Sequence, residues 1–181
     1  PVPLGVNHDD TQHYLYISAG TGTAEAVLIT GGAGHAGDAT GTITFTPANN
    51  HSGAWTIKSA SAGIKEASKA LHDVGTITLP SGVFNIYAPM VLPTTISLIG
   101  QGAAAISGYS ASVLYWLGGA KPAIVVAGDP SILGTYTAVQ GVGIHRNYEL
   151  YSASGMGDGI WVGSDAAGTY TPLTPGRWQA D

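Results

Sequence analysis

Asp129, Asn147 and Asp165 stand at equal intervals of eighteen residues, with His145 and Arg146 just before the middle one and Asp158 shortly before the last. If strands stacked at that interval, these side chains would form one file. Two carboxylates in unlike surroundings can divide acid and base work between them. Asp129 and Asp165, two strands apart, would lie roughly 9–10 Å from each other, at the upper end of the separation that lets an inverting glycosidase admit a water. Arg146 between them could neutralise a uronate carboxylate, or take the proton beside that carboxylate in a β-elimination. Asp129, Asp158, Asp165 and Arg146 are therefore the candidate catalytic set. The same file has a structural reading, in which Asp and Asn at strand corners hold turn amides, and the sequence leaves both open.

Trp161 falls between Ile160 and Val162. Alternation along a strand turns it outward if those two face a core. Over Gly143, one interval earlier, its ring would make a flat platform for the apolar face of a sugar, or else a surface covered by a loop or a second subunit. Trp161, His145, Asn147 and Tyr148 are the candidate substrate-binding residues.

The elements that must position these groups are short strands. Ile124-Val125-Val126, Val142-Gly143-Ile144 and Ile160-Trp161-Val162 carry the eighteen-residue interval, which suggests one unit stacked on itself. Upstream, Thr76–Leu79, Val83–Ile86, Ile96–Ile99 and Val113–Trp116 read as strands, with turns such as Pro80-Ser81-Gly82 between them. Ser61 to His72 is the one helical stretch. Ile64, Ala67, Ser68 and Leu71 form its apolar face, Lys65 and Lys69 a solvated one, and Ser61 its N-cap. Residues 1 to 57 read as a separate β module, with strands at Tyr14–Ile17, Ala26–Ile29 and Thr42–Phe45; Ala54–Ile57 leads out of it. No helices separate the later strands, so a βαβ fold is disfavoured and a coil wound on itself, closed by the helix, is expected.

Composition narrows the function classes. The chain has 181 residues, six Lys plus Arg and a net charge of −5, so it lacks the basic stripe that nucleic-acid binding needs. No run of eighteen apolar residues exists to span a membrane as a helix. There is no cysteine, hence no disulfide, thiolate metal site or cysteine nucleophile. The chain starts at Pro1 and ends without an evident solenoid cap, so it is expected to be the N-terminal portion of a longer protein.

Other motifs carry less. Gly32, Gly34 and Gly37 match a dinucleotide fingerprint, but a strand follows where a helix should begin, and a hairpin turn is the better reading. His8, Asp9, Asp10 and His13 are spaced too loosely to define a metal site. His51 is expected to be structural. No Gly-x-Ser-x-Gly elbow is present to anchor a hydrolase triad.

Three segments share a pattern with a known family. Gly63-Ile64-Lys65-Glu66-Ala67, then Gly75-Thr76-Ile77-Thr78-Leu79-Pro80-Ser81-Gly82-Val83-Phe84, then Ile96-Ser97-Leu98-Ile99-Gly100-Gln101-Gly102 resembles the N-terminal entry of the pectate-lyase superfamily. That superfamily includes pectate lyases, polygalacturonase-like glycosidases and phage tailspikes. The resemblance spans roughly residues 60 to 165. It implies an all-β protein: a small β module at 1–57, then a capping helix and the first coils of a right-handed parallel β-helix, a solenoid, over 58–181. The first module is similar to segments placed before such folds in phage and bacterial surface proteins. The implied function is binding, with or without degradation, of polysaccharide at an extracellular, cell-surface or virion-tail location, by a glycoside hydrolase or a polysaccharide lyase. The alternative is a non-catalytic structural or adhesive fibre. Implied partners are a polysaccharide and further copies of the chain, as a trimer or fibre. Lyases of this kind pair an Arg base with acidic calcium ligands; no dense Asp cluster of that type occurs, so calcium is an alternative without support in the sequence and no cofactor is expected.

Overall fold

The structure, a computed structural model, describes residues 13–33, 40–93, 95–102, 111–118, 123–127, 137–146 and 160–163. Its first part is a four-stranded antiparallel sheet of β1 (Tyr14–Thr21), β2 (Glu25–Ala33), β3 (Thr42–Phe45) and β4 (Ser52–Ser59), in the order β3-β2-β1-β4. Period-two alternation turns Leu15, Ile17, Val27 and Ile29 to one side, where they are buried and joined by Ile43 and Phe45. β4 does not lead out of this sheet. It pairs back along β1, from Leu15↔Ser59 to Thr21↔Ser52, and forms one edge.

The helix α1 spans Ile64–Ala70 and is shorter than the pattern predicts. Gly63, at φ 88°, occupies the N-cap, but the Ser61 hydroxyl still accepts the Lys65 N–H at 3.1 Å. The expected solvated face is not solvated. Lys65 is buried and its Nζ donates to the Val91 carbonyl at 2.6 Å, while Lys69 pairs with Asp73 at 2.8 Å. Leu71, expected inside, lies at the helix end and is exposed. A long aliphatic stem with one ammonium can pack inward when a carbonyl waits at its tip, and spacing alone does not show that carbonyl.

The second part is parallel. Strands β5 (Gly75–Thr78), β6 (Gly82–Ile86), β8 (Ile96–Gly102), β9 (Ser112–Trp116) and β11 (Val139–Arg146) form a five-stranded sheet in the order β5-β8-β11-β9-β6. A three-stranded sheet holds β7 (Met90–Pro93), β10 (Ile124–Ala127) and β12 (Ile160–Gly163), with β10 in the middle. Ile77, Ile86, Met90, Leu92, Ile96, Leu98, Leu114, Trp116 and Ile124 form one buried cluster under α1. Strand β11 changes neighbour midway, pairing β8 up to Gly102 and β9 from Ser112 onward. The change falls at Gly141, whose φ of +64° and tight backbone approach to Gly100 exclude any side chain there.

The expected right-handed parallel β-helix is not formed. The strands make curled open sheets, half-barrels in section, one part antiparallel and one parallel, with a single short helix among the described residues. The eighteen-residue column fails at its middle member. Ile124 pairs directly with Ile160 and with Met90, whereas Val142 lies in the other sheet, in register with Ser112 and Gly102. Val126 is in register with Leu92 and Val162, and Ile144 with Leu114. Partner separations are also unequal: Gly75 to Ile96 is 21 residues, and Leu98 to Val139 is 41. Three apolar alternations fit any strand; an interval between them does not name the partner.

Two parts of the fold are stitched together by side chains. His13, fully buried, bonds through Nε2 to Glu66 Oε1 at 3.0 Å. Tyr16 of β1 stacks on Tyr87 with ring centroids 3.8 Å apart, and Lys58 of β4 donates to the Tyr87 hydroxyl at 3.0 Å.

Candidate functional site

The outer face of the five-stranded sheet carries one row of groups suited to binding. Parallel pairing sets Asn85, Tyr115 and His145 side by side across β6, β9 and β11. Their neighbours Phe84, Leu114 and Ile144 face the core, so alternation turns the row outward. Asn85 and His145 are exposed and Tyr115 half-buried. The His145 imidazole lies against the Tyr115 ring, centroids 5.2 Å apart at 25°. An amide that both donates and accepts, an aromatic face and an imidazole thus occupy consecutive strands at a spacing of about 4.8 Å. Next to the row, Val83 is more than half exposed. Ser112 fixes the start of β9 from beneath: its buried hydroxyl donates toward the Leu79 and Pro80 carbonyls and accepts the Gln101 N–H at 2.9 Å.

The described carboxylates are all engaged in holding the fold. Burial works to raise the Glu66 pKa, but hydrogen bonds from His13 and Ser59 outweigh it and the group sits below its ordinary range. Asp73 follows the same rule, burial being overcome by Lys69 and Ser68. Glu25 accepts the Ala48 and Asn49 amides, both at 2.9 Å, and His51 Nε2 at 2.8 Å. Desolvation there is outweighed by His51 and the two amides, which hold it at about 2. A carboxylate held ionised in this way is a poor general acid near neutral pH. Among the described residues no three His, Asp or Glu side chains converge as a metal site, and no helix is long and apolar enough to cross a membrane. His13 bonds to Glu66, and His8, Asp9 and Asp10 lie outside the described residues.

Of the residues singled out by spacing, Asp129, Asp158, Asp165, Asn147 and Tyr148 lie outside the described residues. Arg146 ends β11, in register with Trp116. Trp161 is in register with Val125 in the three-stranded sheet, while Gly143 sits beside Val113 in the five-stranded one, so the expected platform of Trp161 over Gly143 is not built. The strands that were to align the carboxylate file belong to different sheets, and the carboxylates themselves lie outside the described residues. His145 alone of the candidates has a described side-chain setting, beside two residues that spacing overlooked. A signal for them existed: Asn85, Tyr115 and His145 are each thirty residues apart, and so are Phe84, Leu114 and Ile144 beneath them.

Comparison with protein-family models, curated proteins and solved structures finds no match. Nothing in these comparisons identifies a pectate-lyase or tailspike relationship.

Proposed function

We propose that this chain is a carbohydrate-binding module of a surface or fibre protein, acting through the Asn85–Tyr115–His145 row and without cleaving its ligand. The observation that carries this reading is the in-register row itself, with Tyr115 and His145 stacked. A pyranose offers an apolar C–H face to an aromatic ring and hydroxyls at its rim. Tyr115 suits the first, and the Asn85 amide and the His145 imidazole suit the second. Glu25, Glu66 and Asp73, the carboxylates among the described residues, are each committed to holding structure, and none of them borders the row.

The test is a glycan array followed by titration calorimetry on the best ligand. Tyr115→Ala is expected to weaken binding by about tenfold, equivalent to about 1.4 kcal/mol, at a temperature where the variant remains folded. Binding that is indifferent to Tyr115→Ala and His145→Ala overturns the assignment of the site. New reducing ends or unsaturated uronates released from the ligand overturn the non-catalytic half.

A further inference from the structure

Among the described residues nothing pairs with the outer edge of β4, and the strand has features that an isolated sheet edge normally avoids. Edge strands are guarded by charge, proline or bulges, because their outward N–H and C=O groups can accept another strand. Residues Ser52 to Lys58 are all exposed, and the segment contains no proline and one charge, Lys58. Its pairing with β1 is irregular between Ser52 and Trp55, but from Trp55 to Ser59 the register is continuous. That charge does not guard the edge. Its ammonium is drawn over the outer face to the Tyr87 hydroxyl at 3.0 Å, and lies 5.2 Å from the Tyr16 ring centroid.

The inner side of β4 is left apolar as well. Ile57 is in register with Ile17, and Trp55 with Ala19, on the side of the buried Leu15–Ile17–Val27–Ile29 core. Trp55 is 44% and Ile57 37% exposed, although Ile17 beside them is 2% exposed. The core's apolar side thus runs past the last strand. At the opposite edge, Ile43 and Phe45 of β3 are already half-buried, so β3 has less to gain from a partner.

We infer that β4 pairs antiparallel with β4 of a second copy of this chain, about a two-fold axis at Thr56. That register sets Trp55 against Ile57 of the partner, and Ile57 against the partner's Trp55, covering both exposed side chains twice over. It sets Lys58 opposite Ala54, so no like charges meet. Shifting the axis by one residue to Ile57 faces Ile57 with itself and Trp55 with Ser59. Shifting it to Lys58 brings the two ammonium groups together, which is unfavourable. The dimer goes beyond the carbohydrate-binding reading, and would join two Asn85–Tyr115–His145 rows in one particle.

The chain has no cysteine, so a single introduced thiol is a clean reporter. Cβ atoms facing each other across an antiparallel pair are about 4.5–5.5 Å apart, close to what a disulfide spans. Under mild oxidation Thr56→Cys is expected to cross-link to a dimer in most of the protein, whereas Lys58→Cys, about 13 Å from its own copy in this register, is not. Sedimentation of the unaltered chain is expected to show a monomer–dimer equilibrium. Ile57→Lys is expected to shift it at least tenfold toward monomer, and Trp55→Ser in the same direction without adding charge. A monomer at the highest concentration tested, open-ended polymers, or cross-linking of Lys58→Cys in preference to Thr56→Cys overturns the inference. None of these readouts involves a glycan, so they stand or fall apart from the binding assay.

Discussion

Glu66→Gln is the substitution that most directly tests how the antiparallel sheet is fixed to the helix. The wild-type carboxylate accepts three hydrogen bonds: His13 Nε2–H at 3.0 Å on one oxygen, and the Ser59 and Ser61 hydroxyls at 2.8 and 3.0 Å on the other. An ionised carboxylate only accepts, so Nε2 carries the proton. Glutamine keeps the shape but turns one acceptor into a donor. Toward His13 it sets N–H against N–H in a fully buried place. Toward the serines it meets hydroxyls already accepting from the Ser61, Gly63 and Lys65 amides. One or two of the three bonds are lost in either orientation. At about 1.5–3 kcal/mol for a hydrogen bond to a charged group, the cost is about 1.5–6 kcal/mol, or a fall in Tm of about 3–24 °C for a chain of this size. The dependence on pH has a definite sign. The folded state holds Glu66 ionised more strongly than the unfolded chain, whose value is 4.5. Its contribution is complete above that value and is lost as the pH falls through the lower folded one. Urea unfolding followed by tryptophan fluorescence, from about pH 7 to about pH 3, should show the two proteins converging in acid. A difference below about 0.5 kcal/mol at neutral pH, or one that persists unchanged in acid, refutes this account of the joint.

Two further outcomes are expected. Gly118 faces the buried Trp116 indole so closely that an added Cβ runs into the ring; Gly118→Ala should destabilise by about 1–3 kcal/mol, and should cost much less in a Trp116→Leu background, as a double-mutant cycle by chemical unfolding would show. Glu25, held at about 2 against 4.5 when unfolded, should protect the Ala48 and Asn49 amides from hydrogen exchange; Glu25→Gln should speed their exchange by about tenfold or more, and in the wild type that protection should fade between those two pH values.

Much of the strand content was legible because short β-branched and aromatic runs between glycines admit few other readings; Thr42–Phe45 matches β3 residue for residue. β7 escaped because Met90-Val91-Leu92 is flanked by Pro89 and Pro93 and looks like a loop, although its alternation buries Met90 and Leu92. Pairing was not legible. Parallel partners lie 21 to 41 residues apart, and the intervening segments differ in length, so the eighteen-residue interval joined strands of different sheets. The same error hid the Asn85–Tyr115–His145 row. His145 drew notice for its nearness to Asp and Asn in sequence, but its neighbours in space are Tyr115 and, beyond it, Asn85. Lys65 was misplaced for a different reason, since its partner is the Val91 carbonyl, a backbone atom that side-chain spacing cannot reveal.

The change of neighbour within β11 governs the order in which the chain can assemble. β1 and β2 meet through a short connection, so this hairpin closes early and at little loop entropy, and β4 then returns to pair along β1 before the parallel strands are made. β8 and β9 make few direct contacts with each other and depend on β11, made much later, to span them. Until Val139–Arg146 arrives, both wait with open edges. A ribosome that pauses before this strand would therefore hold a nascent chain half of which is finished and half of which is adhesive.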